Sequence, residues 1–523
     1  MINGVDGWTL RRDTISAALA TLASDNPEAP AVMWATDHNS DQLTWSVLYD
    51  RARRAAATLL RLNPHRSRVA IVAMNSVDWI VAMYACAVAG MPVVPISASC
   101  TDEEARFQID CARVGLIVAA EQAGNHQVLD RLSEVAASMA AKPLVQDIAQ
   151  LDSADRAEPV ALSPEDEFLI QYTSGTTGRP KAASISHSAA LNCGAVFARA
   201  VGFSRGDRFL NPLPLHHVGG SVTGVVAALA VGGAYVLVER FRPQAVVDAL
   251  RQTSPTLAGL VPTMMIDLLT VPGVGPQDFA SLRTAIGGAT AVNPALIVDM
   301  EQKLGITVIG AYGQSEGPAM IASSLEDPIE VRMQTLGRCL AGRDFCIRDR
   351  SGAIVPVDTE GELCVRGPLT MSGYLQPDGR IDPAVDADGW RGTGDLCTMD
   401  ADGVIAFKGR IREVVIRGGL NVYPAEVEQA VSSHQDLADI AVFGVADPRL
   451  GERVVAAVIP TPGHTVDVTE LALLAERRLS SYKRPSEWVV VAHFPRTSTG
   501  KVRRHLLRDW HEQGTLHVEC AAP

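Results

Sequence analysis

The chain has 523 residues, of which 47% are apolar and 20% are charged, and its formal net charge at pH 7 is -13. This length exceeds that of a usual single domain, and the composition excludes a disordered or fibrous protein. The acidic balance argues against a general binder of nucleic acid or of anionic membranes, because both kinds of partner require a basic face.

Two sequence features indicate the compartment. The nine cysteines are scattered without a CxxC pair, which argues against a disulfide framework or a zinc site and favours reduced thiols. The N-terminal stretch lacks the apolar core of a signal peptide, and the longest apolar run, residues 224–238, is interrupted by Gly232 and Gly233. We therefore expect a cytoplasmic protein without a membrane span.

The first part of the chain alternates between two patterns. Short β-branched runs at residues 68–74, 92–97 and 115–120 predict strands. Ala-rich amphipathic stretches at residues 46–60 and 78–90 predict helices. Continuous apolar strands separated by helices are typical of parallel sheets that are covered on both faces.

A loop rich in hydrogen-bond donors, "SGTTGRPK" at residues 174–181, follows the apolar run "FLI". It is not a Walker loop, because the spacing GxxxxGK[ST] is absent. Its glycines let backbone N–H groups turn inward, its hydroxyl groups add donors, and Lys181 adds a positive charge, a combination that suits a polyphosphate. Taken alone, the loop also fits a plain polar surface turn.

The alternation resumes after this loop, which places the loop at a strand exit, a usual ligand position in α/β folds. From about Gly409 onward the chain starts a smaller α/β pattern, and we predict two domains, residues 1–409 and 410–523. The runs that predict strands are 208–214, 234–239, 257–262, 307–313, 413–419, 439–446, 453–460 and 487–492, and those that predict helices are 220–231, 243–253, 424–434 and 468–479.

Seven motifs occur in order along nearly the whole chain: "LTWSVLYDRARRAAATLL", "YTSGTTGRPKAA", "LPLHHVGG", "AYGQSEG", "WRGTGDL", "FKGRIREVVIRGGLNVYPAEVE" and "PRTSTGKVRR". In these motifs and their order the chain resembles the adenylate-forming (ANL) superfamily of acyl-CoA and aryl-CoA synthetases, adenylation domains and luciferases, and in particular enzymes like 4-chlorobenzoate-CoA ligase. The resemblance implies an α/β fold: a large N-terminal domain with stacked mixed and parallel sheets flanked by helices, and a small mobile α+β C-terminal domain.

The resemblance also implies a nucleotide site. Tyr312 would stack on adenine, Asp395 would accept hydrogen bonds from the ribose hydroxyls with Arg410 beside it, and Ser315 would touch phosphate. Glu316, with Thr177, would hold Mg²⁺, which prefers carboxylate and hydroxyl oxygen. The implied catalytic residues are Lys501, His217, Lys181 and Glu316; the implied ATP and AMP site comprises Thr173, Ser174, Gly175, Thr176, Thr177, Gly178, Lys181, Gly288, Ala289, Ala311, Tyr312, Gly313, Ser315, Glu316, Asp395, Arg410 and Lys501.

Three further sets of residues follow from the resemblance. Arg412 occupies the hinge position, two residues after the ribose arginine. Gly418, Gly419, Tyr482 and Arg484 are expected to meet CoA, although Leu450 and Ser486 depart from the family pattern and leave the grip on the CoA adenine open. The acyl pocket is expected to be wide and apolar because its glycines remove side-chain volume; its residues are His217, Gly219, Gly220, Gly224, Gly288 and Gln314.

The implied reaction uses ATP, Mg²⁺ and CoA. A carboxylic acid would attack the α-phosphate of ATP to give acyl-AMP and pyrophosphate, and CoA would then take the acyl group. The motif segments hold no Asp to pair with an α-ammonium group, which favours an aryl, alicyclic, terpenoid or fatty acid over an amino acid. Transfer to a carrier protein or a partner ligase, a homodimer, and a binding protein without turnover remain open alternatives.

Overall fold

The computed structural model describes residues 2–3, 8–124, 126–173, 180–288, 294–497 and 501–516. The candidate nucleotide-site residues Ser174, Gly175, Thr176, Thr177, Gly178 and Ala289 lie outside the described residues.

A 14-stranded sheet forms the largest layer. One half is largely parallel and its strands read as buried apolar runs, while the half beyond Thr307–Gln314 is antiparallel. In spatial order the strands are Ile2–Asn3, Asp344–Arg348, Gly361–Arg366, Arg391–Met399, Val404–Arg410, Gly337–Cys339, Gly317–Ala322, Thr307–Gln314, Thr284–Gly287, Leu257–Leu260, Arg208–Asn211, Ala234–Leu237, Pro30–Ala35 and Ser40–Thr44.

An eight-stranded sheet forms a second layer. Three of its parallel strands, Arg68–Val72, Val93–Ile96 and Val114–Ala119, carry the predicted N-terminal runs, and an antiparallel extension begins where Glu167–Thr173 pairs with Lys181–Ser186. In spatial order the strands are Ile381–Asp382, Gly373–Leu375, Lys181–Ser186, Glu167–Thr173, Val93–Ile96, Arg68–Val72, Val114–Ala119 and Leu144–Asp147, and a separate small hairpin joins Gln122–Ala123 to His126–Gln127.

Helices cover both sheets. Val77–Ala89 is apolar on almost every side, because it is buried between its neighbours; the Ser76 hydroxyl accepts from Trp79 N at its start, and Gly90 ends it at φ +68°. The other helices before residue 335 are Ile15–Asp25, Trp45–Leu62, Asp102–Cys111, Val128–Ser138, His187–Ala200, Val218–Gly220, Ala227–Val231, Pro243–Thr253, Pro262–Leu269, Pro294–Leu304 and Ile329–Gln334, with a π-helical segment at Ser221–Val226 and 3₁₀ turns at Ile148–Gln150 and Pro276–Phe279.

The C-terminal part forms a five-stranded sheet of its own with a separate apolar core. Its long central pair, Leu437–Asp447 and Gly451–Pro460, is antiparallel, and Glu487–Val490 joins it in parallel. The remaining elements are strands Val415–Arg417 and Leu420–Val422, helices Pro424–Val431, Val468–Arg478 and Arg504–Glu512, and a 3₁₀ turn at Ser481–Lys483.

The fold class expected from the sequence is confirmed, because the large part combines parallel and antiparallel sheets with helices and the C-terminal part is a smaller α+β unit. The antiparallel half of the large sheet, between Gly317 and Arg410, has no counterpart among the predicted elements. Strands such as Gly361–Arg366 and Arg391–Met399 carry glycines and charged residues among their apolar ones, so they lack the continuous apolar runs that identify the parallel strands. The domain boundary at Gly409 stays a prediction.

Candidate active site

The base of the loop at residues 174–179 is fixed by strand pairing. Thr173 and Lys181 are directly opposite each other at the ends of two antiparallel strands. The Lys181 ammonium lies over the ring of Tyr374, 4.8 Å from its centroid, and Tyr374 belongs to the next strand of the same sheet. The Lys181 cation is therefore held by an aromatic face at the end of its strand.

Tyr374 also connects Lys181 to Glu316. Its hydroxyl donates to Glu316 Oε1 over 2.8 Å, and burial raises the pKa of this phenol, with Glu316 adding to the rise. The backbone N–H of Met371 donates to the Glu316 carbonyl over 2.8 Å. Sequence reasoning missed Tyr374, because the only signal is one aromatic residue after Gly373 in a stretch without periodicity.

Asp395 is the centre of a second polar cluster. Its side chain is 1% exposed, its Oδ2 accepts from the Tyr312 hydroxyl, and its Oδ1 lies 3.1 Å from Arg410 Nε. Asp395 and Arg410 are directly opposite each other on neighbouring strands, which sets this ion pair. Among the described residues Oδ1 is hydrogen-bonded to nothing, so a buried carboxylate oxygen beside a cation is left to accept from a hydroxyl group.

Gln314 belongs to the same cluster. Its amide nitrogen donates to Asp395 Oδ2 and to the Thr393 carbonyl, both over 2.9 Å, and lies 3.1 Å from the Tyr312 hydroxyl. The predicted place of Gln314 in the acyl pocket stays a prediction. Because its amide is aimed at the buried carboxylate, we propose that Gln314 also helps to hold Asp395.

The two histidines of "LPLHHVGG" follow a loop that Asn75 holds in place. The Asn75 amide donates to the carbonyls of Leu213 and Val238, and its Oδ1 accepts from Leu215 N over 2.8 Å. Burial lowers the pKa of His216 to about 4 and that of His217 to about 3, so both imidazoles are neutral at pH 7. Asn75 was also missed, since an Asn after a strand carries no sequence signal of its own.

Two glycines near His217 lie in tight packing. A Cβ on Gly220 would lie 2.3 Å from the Pro214 carbonyl oxygen, and one on Gly224 would lie 2.8 Å from Asn211 and from Tyr235. Both glycines therefore permit close backbone packing at this place, and their role in the acyl pocket stays a prediction. At Gly288 a Cβ would lie 3.0 Å from the Ala311 carbonyl oxygen, so the strand end that carries Gly288 approaches the Tyr312 strand closely.

Lys501 comes from the C-terminal part and lies within electrostatic range of His217. Its charge contributes to the lowered pKa of His217, and it lies near Arg410 and Glu316. Burial and then the Arg410 cation lower the pKa of Lys501 to about 8, while the neighbouring carboxylates act in the opposite direction. An ammonium group in a crowded site that already holds a second cation fits an anionic ligand.

Two family models match the chain, one for AMP-binding enzymes over residues 19–375 and one for the C-terminal domain of AMP-binding enzymes over residues 426–501. The chain belongs to the AMP-binding enzyme family. Indoleacetate–CoA ligase from Aromatoleum aromaticum is 34% identical over 85% of this chain and 88% of its own length. A methyl-dioxo-octahydro-indenyl-propanoyl:CoA ligase from Mycobacterium tuberculosis is 33% identical over 95% of this chain and 98% of its own length.

Solved AMP-binding enzymes superpose over almost the whole chain. The ATP-bound MatB of Rhodopseudomonas palustris matches with a TM-score of 0.87 at 25% identity, covering 96% of this chain and 99% of that one. The o-succinylbenzoate CoA synthetase of Bacillus subtilis, in complex with its acyl-adenylate, matches with a TM-score of 0.83 at 25% identity and the same coverage. In the part of this AMP-binding enzyme that the structure describes, every helix is too short or too polar to span a bilayer.

The candidate CoA residues of this AMP-binding enzyme lie on the C-terminal part. Gly418 and Gly419 form the tip of a hairpin with positive φ angles of +59° and +82°, and open space surrounds the position of a Gly419 side chain. Tyr482 lies beside the Lys483 ammonium. The Arg484 guanidinium already donates to Glu476 and to the Leu479 carbonyl, so a CoA phosphate would have to compete with these bonds. The CoA assignment of all four stays a prediction.

The predicted Mg²⁺ ligands fit the usual chemistry of this cation. Mg²⁺ in nucleotide sites is held by phosphate oxygens, water and one or two protein oxygens rather than by a protein cage. Among the described residues, accordingly, there is no cluster of metal-ligating side chains. Glu316, in the turn between strands Thr307–Gln314 and Gly317–Ala322, would supply one hard oxygen ligand, and Thr177 lies outside the described residues.

The contacts of Gln314 lead to a test of whether it holds Asp395 or lines the acyl pocket. We expect Gln314→Met to weaken MgATP binding about tenfold, because Asp395 loses a buried donor worth about 1.5 kcal/mol. The ranking of carboxylic acids should stay as in the wild type. Isothermal titration with MgATP and initial rates over an acid panel measure both quantities. A changed ranking of the acids at unchanged ATP affinity would support the predicted role of Gln314 in the acyl pocket instead.

The lowered pKa of Lys501 gives a pH dependence. The ammonium is charged below pH 8 and neutral above it, so kcat/KM for acyl-adenylate formation should fall as the pH rises through about 8. In Lys501→Arg this fall should be absent, because a guanidinium stays protonated throughout that range. Pyrophosphate release between pH 6 and 10 checks the profile. An identical fall in both proteins would assign it to another group.

Proposed function

We propose that this enzyme activates a bulky apolar carboxylic acid with ATP and transfers the acyl group to CoA. Its acid–thiol ligase relatives and the acyl-adenylate complex of a solved relative support this reaction class. The observation that carries the proposal is that Lys501 lies within electrostatic range of His217 and of the Asp395–Arg410 pair, although these residues come from distant parts of the chain.

The first half of the reaction joins two anions. The substrate carboxylate must approach the α-phosphate of ATP, so positive charge has to lie between them and around the departing pyrophosphate. Lys181 and Lys501 would supply that charge, and Mg²⁺ held by Glu316 would neutralise phosphate oxygens when it is bound. The neutral imidazole of His217 can orient the carboxylate without adding a competing charge.

The nucleotide is held by a different set of groups. Asp395 Oδ2 is occupied by Tyr312 and Gln314, which leaves Oδ1, beside Arg410, to accept from a ribose hydroxyl. Tyr312 would face the adenine as the resemblance implies. Because these groups bind the part of ATP that does not react, they hold the α-phosphate in place for attack.

The acid is best described by its shape and polarity. Two of the relatives are named for indoleacetate and for a fused-ring propanoyl group, both of them bulky ring systems. The segments at residues 216–224, 285–290 and 310–314 contain no Asp to pair with an α-ammonium group. Both points favour an aryl or alicyclic carboxylate over an amino acid.

A panel of acids tests the proposal. Pyrophosphate release should depend on an arylacetate, an alicyclic propanoate or a medium-chain fatty acid, and it should stay at background with amino acids. Loss of free CoA thiol in the same mixtures identifies the acceptor. Pyrophosphate release without thiol loss would favour a carrier protein or a partner ligase as acceptor, and ATP binding without any release would leave a binding protein.

The second half of the reaction is predicted to need movement of the C-terminal part about Arg412. Arg412 is exposed in a turn that follows strand Val404–Arg410. We expect Arg412→Pro to keep acyl-adenylate formation and to lower thioester formation more than tenfold, because a fixed φ angle restricts rotation there. Pyrophosphate release and CoA thioester are measured in parallel. Unchanged thioester formation would remove the hinge role from Arg412.

A further inference from the structure

Two arginines are buried beside the Glu316 region without a carboxylate partner. The side chains of Arg343 and Arg391 are 0% and 6% exposed. Among the described residues neither guanidinium forms an ion pair with an Asp or a Glu. Burying an unpaired cation is costly, so each of them needs strong hydrogen-bond acceptors in return.

Each arginine donates a hydrogen bond to a backbone carbonyl of the same segment. Arg343 Nε donates to the Leu369 carbonyl over 3.1 Å, and Arg391 Nη2 donates to the Met371 carbonyl over 3.2 Å. The segment between Gly367 and Ser372 has no regular secondary structure that would fix it otherwise. Two guanidinium groups therefore hold alternate carbonyls of an irregular segment.

This segment touches Glu316 twice. Met371 N donates to the Glu316 carbonyl, and Tyr374, three residues later, donates its hydroxyl to the Glu316 carboxylate. Arg343 also donates to the carbonyls of Pro318 and Ala319, just after Glu316. The arginines thus join the Glu316 turn to the segment that carries Tyr374.

Arg391 has the more direct link to the site. Its charge interacts with Tyr374 and with Glu316, and its buried Nε is without an acceptor among the described residues. A cation with an unused donor in this position contributes positive potential where triphosphate is expected, and its other donors fix the Met371 carbonyl and the Ala384 carbonyl.

We propose that Arg391 is a positioning residue for Glu316: it holds the Met371 backbone so that the Tyr374 hydroxyl meets the Glu316 carboxylate. This inference rests on the proposed function for its role in adenylation. It predicts that Arg391 and Tyr374 act on MgATP as one unit, since the arginine works through the tyrosine contact.

A double-mutant cycle tests this coupling. Arg391→Met and Tyr374→Phe should each weaken MgATP binding and slow pyrophosphate release about tenfold, and the double variant should also lose about tenfold rather than a hundredfold. Isothermal titration with MgATP and pyrophosphate release are the two measurements. Losses that multiply, or no loss in either single variant, would overturn the inference.

A matched arginine serves as the control. Arg366 lies on the neighbouring strand, pairs with Asp344 and covers Trp390, outside the Glu316 contacts. Arg366→Met combined with Tyr374→Phe should show no coupling. If Arg391→Met is not obtained folded, Arg391→Lys, which keeps the charge with fewer donors, enters the same cycle and the same criterion applies.

Different results would overturn the proposed function and the positioning role of Arg391. Titration with MgATP needs no turnover, so the cycle can be scored even if the acid is never found. Wild-type protein that binds MgATP and releases no pyrophosphate with any acid would overturn the proposed function alone. Independent effects of Arg391 and Tyr374 in an active enzyme would overturn only the positioning role.

Discussion

Replacement of Lys501 by Ala is expected to lower the rate of acyl-adenylate formation by about 100- to 1,000-fold. The loss is large because Lys501 lies in the crowded site beside His217, where a charge acts through little solvent. The half-reaction from supplied acyl-AMP to the thioester should be spared, since no phosphate charge builds up in it. Pyrophosphate release and thioester formation from synthetic acyl-AMP measure the two halves separately.

The control for this prediction is a lysine outside the site. Lys303 is exposed and pairs with Asp299 on the same helix, so Lys303→Ala should leave both half-reactions unchanged. Lys501→Arg retains the charge and should therefore recover part of the adenylation rate. The recovery should be incomplete, because the guanidinium cannot reproduce the geometry of the ammonium group. Equal losses in both half-reactions of Lys501→Ala would contradict the role in adenylation.

Asp395→Asn is expected to weaken MgATP binding by about 100-fold. The carboxylate is buried, and each hydrogen bond that it would make to a ribose hydroxyl involves a charged acceptor worth about 1.5–3 kcal/mol. The substitution keeps the side-chain volume, so the KM for the acid should change little. Titration with MgATP and initial rates at saturating ATP separate the two effects.

The sugar itself provides the sharper comparison for Asp395. Wild-type enzyme should bind ATP more tightly than 2′,3′-dideoxy-ATP, and in Asp395→Asn this difference should nearly vanish. Asp327→Asn removes another buried carboxylate, one that pairs with Arg338, and it controls for general loss of stability. If both proteins discriminate equally between the two nucleotides, Asp395 does not contact the ribose.

Much of the parallel architecture can be predicted from the sequence. Strands such as Arg68–Val72 and Leu257–Leu260 are buried on both faces and therefore appear as continuous apolar runs. Helix Trp45–Leu62 shows its buried stripe in the spacing of its apolar residues, and the Thr44 hydroxyl marks its start by accepting from Val47 N. These signals are local, and they need no knowledge of neighbouring elements.

The antiparallel half of the large sheet could not be predicted in this way. A strand such as Gly361–Arg366 carries charged residues among its apolar ones, so it does not appear as a continuous apolar run, and its place is set by pairing with Asp344–Arg348 and Arg391–Met399. The steric need for glycine at positions 220 and 224 could not be predicted either, because it arises from contacts with Pro214 and Tyr235 that only the folded chain creates.

The kinds of groups available can be read from the sequence: a stretch rich in glycine and hydroxyl groups, a carboxylate within each of two motifs, and lysines in the second and the last motif. Which of these groups meet depends on the folded chain. Strand register aims Gln314 at Asp395 and places Tyr374 between Lys181 and Glu316. Lys501 reaches His217 through the placement of the C-terminal part. Such contacts join residues far apart in the chain, so no local pattern shows which side chains meet.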